Sequence, residues 1–355
     1  MNKLLKIAFL FFYSALALVI YAEQTHIAVT GYGQSDYNAE RQNWSVSYAQ
    51  NGEVYFANHT GLLQFDGTNW KLNNLPNETI LRAVNAQADS IIYTSGYMEL
   101  GFWKTDIYGQ LKYTSLTPKA KKYFYNNIEF WNIVVQNNYV YFHSFSKILA
   151  YRNDSVVAIE IPGTLNVMSK VHDKVLVAVR DSGIYELKND SYTPYIQDDV
   201  LTNKQIKFLI PFTENQLLIG TAANGIYLWN GEKLSRWNLQ WTDYFIENEL
   251  NRAYVTNDNK IITGTLIDGM VVFDAEGNRL MKINAENGLP NNTVLGIETD
   301  EWGNIWLALD NGIGFVSGNQ NPGFVTKEIP GTGAIYSVAI LNDRMYLGTN
   351  QGLFV

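Results

Sequence analysis

The chain has 355 residues, 46 % of them apolar and 14 % aromatic, which supplies a large core and excludes general disorder. Its formal net charge of -8 excludes a broad grip on a polyanion, because phosphate contacts need clustered Lys and Arg; no direct nucleic-acid contact is expected. With no cysteine, disulfide scaffolds, thiolate catalysis and Cys-ligated metal sites are closed off.

Met1 to Glu23 begins with Lys3 and Lys6, continues through the apolar run Ile7 to Ile20 and ends at Tyr21-Ala22-Glu23, where Ile20 and Ala22 suit a cleavage site. Residues 1–22 read as a secretory signal peptide, with an uncleaved anchor as the other reading. Both place the remainder outside the cytoplasm, in the periplasm or cell envelope. Residues 23–42 form an arm with one expected strand at His26 to Thr30, whose role is to cover a sheet edge or to add a strand to a terminal sheet.

From Asn43 a repeated grammar begins. Strands are expected at Trp44 to Ala49, Val54 to Ala57, Leu62 to Phe65 and Trp70 to Leu72, and Asp66-Gly67 supplies the positive φ of a tight hairpin. The same sequence of strand, glycine turn and strand recurs at Leu217 to Gly231, Ile261 to Asp274, Ile305 to Val316 and Met345 to Leu353. Weaker copies lie around Gly101 and Gly183, and a degenerate one at Tyr139 to Tyr151 carries Ser146-Lys147 in place of the glycine. Glycines 61, 101, 183, 225, 269, 312 and 352 are read as one hairpin each. The period of about forty to forty-five residues is that of one four-stranded propeller blade. The expected fold is therefore all-β: seven four-stranded blades over 43–330, and the start of an eighth over 331–355. That last stretch reads as a partial blade, closing strands or the start of a second propeller. Either the arm completes this sheet, or the chain is a fragment of a longer one.

Pro118 to Tyr125 and Trp241 to Asn251 are the best helical stretches. Both fall between repeats and are rich in aromatics, which marks the face where blades connect as a candidate binding surface. The residues freest to meet a ligand lie in the hairpins and connections of that face: Trp44, His59, Tyr97, Glu99, Arg180, Trp241, Tyr244 and Asp268. For each, a solvated or turn-forming role is the plainer reading.

Other chemistry is sought without success. His26, His59, His143 and His172 have no ligand spacing, and no metal or cofactor is expected. Gly31-Tyr32-Gly33 lacks the third glycine and the strand-to-helix context of a phosphate loop. No Gly-x-Ser-x-Gly elbow occurs, so no catalytic residues are assigned. Asp300-Glu301-Trp302-Gly303 has one residue too many for an aspartate box, and Asp300 is expected to cap a turn. Trp70, Trp103, Trp229 and Trp306 could be sugar platforms, but at strand positions they read better as packing between sheets.

Gly288-Leu289-Pro290, Asn292, Asp300, Gly303, Ile305-Trp306 and Gly312-Ile313, with Gly220-Thr221, Gly264-Thr265 and Gly348-Thr349, resemble the two-component regulator propeller repeat of Bacteroidetes sensors. Leu307-Ala308-Leu309 departs where Gly-Thr is usual. Gln42-Asn43-Trp44, Val54 to Asn58 and Gly61 to Gly67 resemble the first blade of its LuxR-type relatives. The resemblance implies a ligand-sensing module of a membrane-spanning transcription regulator, followed by a further propeller or a triple-tyrosine domain if the chain is a fragment. It also implies an oligosaccharide or other small ligand, and homodimerisation through the downstream domains. The alternatives are a secreted propeller enzyme, a polysaccharide lyase or glycosidase with paired acids on the axis, and a protein-docking scaffold.

Overall fold

The structure, a computed structural model, describes residues 28–88, 91–125, 127–318, 334–341 and 344–354. The expected signal segment, and His26 and Ile27 of the expected arm strand, lie outside these. The chain divides into two compact units, one spanning Ala28–Gly318 and the other containing the strands after residue 334.

The larger unit is a seven-bladed β-propeller. Its blades are antiparallel sheets of four strands, and six of them are built from consecutive strands, within residues 43–74, 81–115, 132–159, 165–196, 206–237 and 250–283. The innermost strands are β2 (Asn43–Tyr48), β6 (Leu81–Ala86), β10 (Asn132–Gln136), β14 (Leu165–Val171), β18 (Ile206–Thr213), β22 (Leu250–Val255) and β26 (Val294–Thr299). Each of these touches the next, and β26 touches β2, so the ring is closed.

Burial explains why the sequence reads as it does. The second strand of a blade is covered on both faces by neighbouring sheets, so β3 (Val54–Asn58), β11 (Tyr139–His143) and β27 (Ile305–Leu309) are buried at every position. The outermost strands are wet on one side, and β9 (Leu111–Ser115) alternates between half-buried and exposed. Trp306, Trp103, Trp70 and Trp229 pack in the apolar layers between sheets, as expected.

Two turn devices repeat. In the outer hairpins an Asx side chain closes the turn: Asp66 Oδ1 accepts from the amides of Thr68 (2.8 Å) and Asn69 (2.6 Å). Asp300 plays the capping role expected of it, accepting from the Trp302 and Asn304 amides and from Trp306 Nε1. In the inner hairpins the threonine of Gly-Thr donates to the carbonyl of the hairpin glycine, Thr221 to Gly225 (2.7 Å) and Thr265 to Gly269 (3.0 Å). The preceding glycine is needed for room: a Cβ on Gly220 would collide with the Phe208 ring, and one on Gly264 with Val294 of the next blade. Gly101 is a correction. It lies inside β8 (Glu99–Thr105), and the turn falls at Tyr97-Met98, with Met98 at φ 56°. Gly101 is required by packing instead, since a Cβ there would strike the Thr114 carbonyl and the Tyr113 ring.

The seventh blade takes only three strands from its own repeat, β26, β27 and β28 (Ile313–Val316). Its fourth is β1 (Val29–Tyr32) from the arm, antiparallel to β28 with Val29 opposite Val316 and Tyr32 opposite Ile313. The arm thus adds a strand to the seventh sheet, not to the eighth, and covers an edge that would otherwise leave backbone groups unpaired. Tyr32 anchors it against Phe65, Trp70 and Trp306, with ring centroids 5.9, 5.2 and 6.4 Å away.

The smaller unit contains a three-stranded antiparallel sheet, β29 (Ile335–Leu341), β30 (Arg344–Thr349) and β31 (Gly352–Phe354). It repeats the inner hairpin bond, Thr349 Oγ1 to the Gly352 carbonyl at 3.0 Å. This is the partial eighth sheet that the repeats predict.

The two helical stretches are real but short. Thr117–Ala120 and Thr242–Glu247 are helices, each flanked by a single 3-10 turn, Lys121–Tyr123 and Leu239–Trp241.

Candidate functional site

One irregularity recurs at the same level of the ring. In every blade but the third, the ladder between the first and second strands slips by one residue at the start of the innermost strand. The residues left without a partner are Trp44-Ser45, Arg82, Asn166, Lys207, Asn251 and Leu295. A bulge frees a residue from the pleat and re-aims its side chain, and bulges gather beside binding sites for that reason. Here the repeat places them around one mouth of the axis.

At this mouth Arg82 packs against two indoles that also touch each other. Its guanidinium carbon lies 4.0 Å from the ring centroid of Trp44 and 4.7 Å from that of Trp131, while Nε pairs with Glu129 at 3.2 Å. Trp44 and Trp131 meet edge to face at 5.4 Å, and Trp131 stacks on the half-exposed ring of Phe145. Arg82 Nη1 and Trp44 Nε1 are buried with no hydrogen-bond partner, as is Asn166 Nδ2. Buried donors are nearly always satisfied, so bare ones gathered at one mouth mark a place where something else supplies the acceptors.

Below lies a cavity of about 210 Å³ lined by Trp44, Trp131, Arg252, Asn85, Asn132 and Glu298 among others. A second cavity of about 520 Å³ shares Asn85, Asn132, Ile133 and Glu298 with it and continues the axis past Gln87, Lys170 and Tyr254. Arg252 donates through Nε to the Leu295 carbonyl at 2.7 Å, and burial pulls its pKa down. Burial likewise lowers Lys207, reinforced by the Arg252 charge and opposed by Glu249. Burial raises Glu298 to about 7, against hydrogen bonds from the Thr299 amide and Tyr254, and Tyr254 is pushed up to about 12 by burial and by the Glu298 charge. Glu298 is the single carboxylate lining either cavity among the described residues, so the paired acids of a glycosidase are not formed there.

The residues singled out from sequence are distributed unequally. Trp44 belongs to the mouth. Trp241, Tyr244 and Asp268 come together elsewhere, where the connection from the fifth to the sixth blade crosses the sixth: Trp241 and Tyr244 meet edge to face at 5.3 Å, and Tyr244 donates to Asp268 at 3.1 Å. Burial works against the Asp268 charge, yet Lys282 at 2.5 Å, Asn284 at 2.8 Å and Tyr244 hold its pKa below the ordinary value. Burial and the Asp268 charge raise Tyr244. This cluster pins a connection, and its carboxylate oxygens are already taken.

Glu99 is 5 % exposed and accepts from Asn77 (2.7 Å), Tyr113 (2.8 Å) and Ser115 (2.5 Å). It is neither solvated nor turn-forming. His59 is half-buried in the first blade's inner hairpin with Nδ1 unpartnered, Tyr97 forms the second blade's hairpin and bridges to Glu129, and Arg180 is exposed.

Arg82, Trp131, Lys207, Arg252 and Glu298 escaped the reading of the sequence. A signal existed: Leu81-Arg82 and Ile206-Lys207 set a cation directly after the first buried residue of an innermost strand, where a pleated strand would alternate. Only comparing one register position across the repeats exposes it.

No family model matches the chain, and no curated protein matches it. Solved structures share its fold at low identity. The WD40 beta propeller domain of Doa1 superposes with a TM-score of 0.64 at 13 % identity, covering 84 % of this chain and 100 % of that one. The extracellular domain of the putative one component system BT4673 from B. thetaiotaomicron gives 0.65 at 14 %, over 93 % of this chain and 46 % of that one. The chain thus spans about half of that domain. Streptogramin B lyase gives 0.66 at 12 %, over 82 % and 98 %.

Proposed function

We propose that this propeller is the extracytoplasmic ligand-sensing module of a membrane-spanning signal-transduction regulator. In this reading it is non-catalytic and takes a glycan fragment at the axial mouth. The observation that carries the proposal is the Trp44–Arg82–Trp131 stack with its unpartnered buried donors beside the cavity. Indole faces suit the C–H faces of sugars, and bare N–H groups suit their hydroxyl oxygens. The shared fold with extracellular domains of one- and two-component systems supports export and sensing. Ligand at the mouth would favour one packing of the ring against a following domain, and that preference would bias the output.

The test is calorimetry and thermal shift of the full chain against a broad set of oligosaccharides, with Trp131→Ala as control. Saturable binding lost in the variant is expected, and silence across the set would overturn glycan sensing.

A lyase is the second reading. It is favoured by Glu298, raised to about 7 beside Tyr254, which has the form of a general base and acid for β-elimination. Incubation with uronate polymers and detection of an unsaturated product by ultraviolet absorbance separates the two: product formation lost in Glu298→Gln would replace sensing by catalysis.

A further inference from the structure

We infer that the axial mouth is a seat for an acidic sugar, a saccharide bearing a carboxylate or sulfate, held by Arg252 and Lys207 against the indoles of Trp44 and Trp131. The inference rests on the sensing reading above and names the chemical class of its ligand.

The first argument is charge placement. The chain is acidic overall, with 34 carboxylates to 26 Lys and Arg. Three cations nonetheless stand at the bulge level of the ring, Arg82, Lys207 and Arg252. Arg82 has a counter-ion in Glu129, 3.2 Å away. Arg252 and Lys207 have none: among the described residues, no carboxylate oxygen lies within 4.0 Å of either.

The second argument is geometry. Lys207 and Arg252 stand on β18 and β22, innermost strands of adjacent blades that touch each other. Lys207 is itself the unpaired bulge residue, and Arg252 follows one, Asn251, whose amide is already donated to the Val294 carbonyl. The Nε–H of Arg252 goes to Leu295, which fixes the plane of the guanidinium and leaves its Nη groups without a protein partner beside the 210 Å³ cavity. A guanidinium so oriented offers parallel donors matched to a carboxylate or sulfate.

The third argument is energetic. Burial and the neighbouring Arg252 charge lower Lys207, opposed by Glu249, while burial alone lowers Arg252. A bound anion offsets the burial of both cations and the Arg252 charge acting on Lys207, which favours an acidic ligand over a neutral one. The cavity is small against pockets of about 300–1,000 Å³ that hold drug-sized ligands, so it takes one terminal sugar, with the rest of the fragment running over the exposed Phe145 ring.

The experiment is isothermal calorimetry on the full chain with four probes: a short oligogalacturonate, a sulfated disaccharide, and the neutral counterpart of each. Variants are Arg252→Gln, Arg252→Lys, Lys207→Gln and Trp131→Ala, each checked for native circular dichroism. The expected result is that at least one acidic probe binds about tenfold or more tighter than its neutral counterpart. That preference falls about tenfold in Arg252→Gln and Lys207→Gln and returns partly in Arg252→Lys. The acidic probe that binds identifies the source of the anion. If Arg252→Gln does not fold, Lys207→Gln alone decides. Equal binding of acidic and neutral probes, lost only in Trp131→Ala, would overturn the acidic-sugar inference and leave sensing standing. Failure of every probe would overturn the acidic-sugar inference, and the broad oligosaccharide set above decides the sensing reading separately.

Discussion

Replacing Glu298 with glutamine isolates the cost of keeping a carboxylate on the propeller axis. Burial raises this group from its ordinary value of 4.5 to about 7, because neither the Thr299 amide nor Tyr254 compensates for lost hydration. Below pH 4.5 the acid is protonated in both folded and unfolded chains and costs nothing. Between 4.5 and 7 the folded chain holds more protons than the unfolded one, so stability falls as pH rises, and above 7 the penalty is complete. At about 1.4 kcal/mol per pH unit the ceiling is about 3 kcal/mol. Because the side chain borders the axial cavities, roughly half of that is expected in practice, or about 2–3 °C of melting temperature for a domain of this size. The assay is thermal unfolding of the parent and Glu298→Gln at pH 5 and pH 8. The variant should gain on the parent by about 2 °C more at pH 8 than at pH 5. A difference in melting temperature that does not change with pH would refute the argument, whatever its sign.

His143 should behave in the opposite sense. Burial lowers it to about 4, against a hydrogen bond with the Leu165 backbone, so stability is present above about pH 6.5 and lost as pH falls towards 4; NMR titration should find the ring neutral at pH 5, and a charged ring there would contradict its burial. Glu99→Ala strands the Asn77, Tyr113 and Ser115 donors and should cost about 3 kcal/mol in urea unfolding, with Glu99→Gln closer to the parent. Tyr32→Ala removes the anchor of β1 from Phe65, Trp70 and Trp306 and should cost about 2–3 kcal/mol, with hydrogen exchange rising first at Ile313 to Val316. Exchange confined to β1 would show that the seventh blade does not need its fourth strand.

The blades were legible because their punctuation is local. Asp66-Gly67, Asn230-Gly231, Gly220-Thr221 and Gly264-Thr265 each specify a hairpin through bonds made within a few residues, and all of these turns are found where the sequence places them. Gly101 misled because a glycine required by side-on packing looks the same in sequence as one required by a turn. The mouth was harder to see. Trp44 was visible as an aromatic at a connection, but Arg82, Lys207 and Arg252 acquire meaning only when residues far apart in sequence reach one axis. The bulges that free two of them leave no local mark. Glu99 shows the converse: a polar residue beside a hairpin looked available, and its partners include Asn77, in the turn before β6, and Ser115, at the end of β9.

The pairing of Val29 with Val316 also carries a schedule. β1 leaves the ribosome ahead of the six complete sheets and pairs with a strand that follows them all, so those sheets can assemble as the chain emerges while the circle waits for its clasp. Long-range pairing of this kind is slow and leaves an open sheet edge in the interval, a state that invites capture by another chain. Anything joined ahead of Ala28 therefore enters the molecule at the rim of the seventh sheet. A bulky fusion at that point should be felt as delayed ring closure before it is felt as weakened binding.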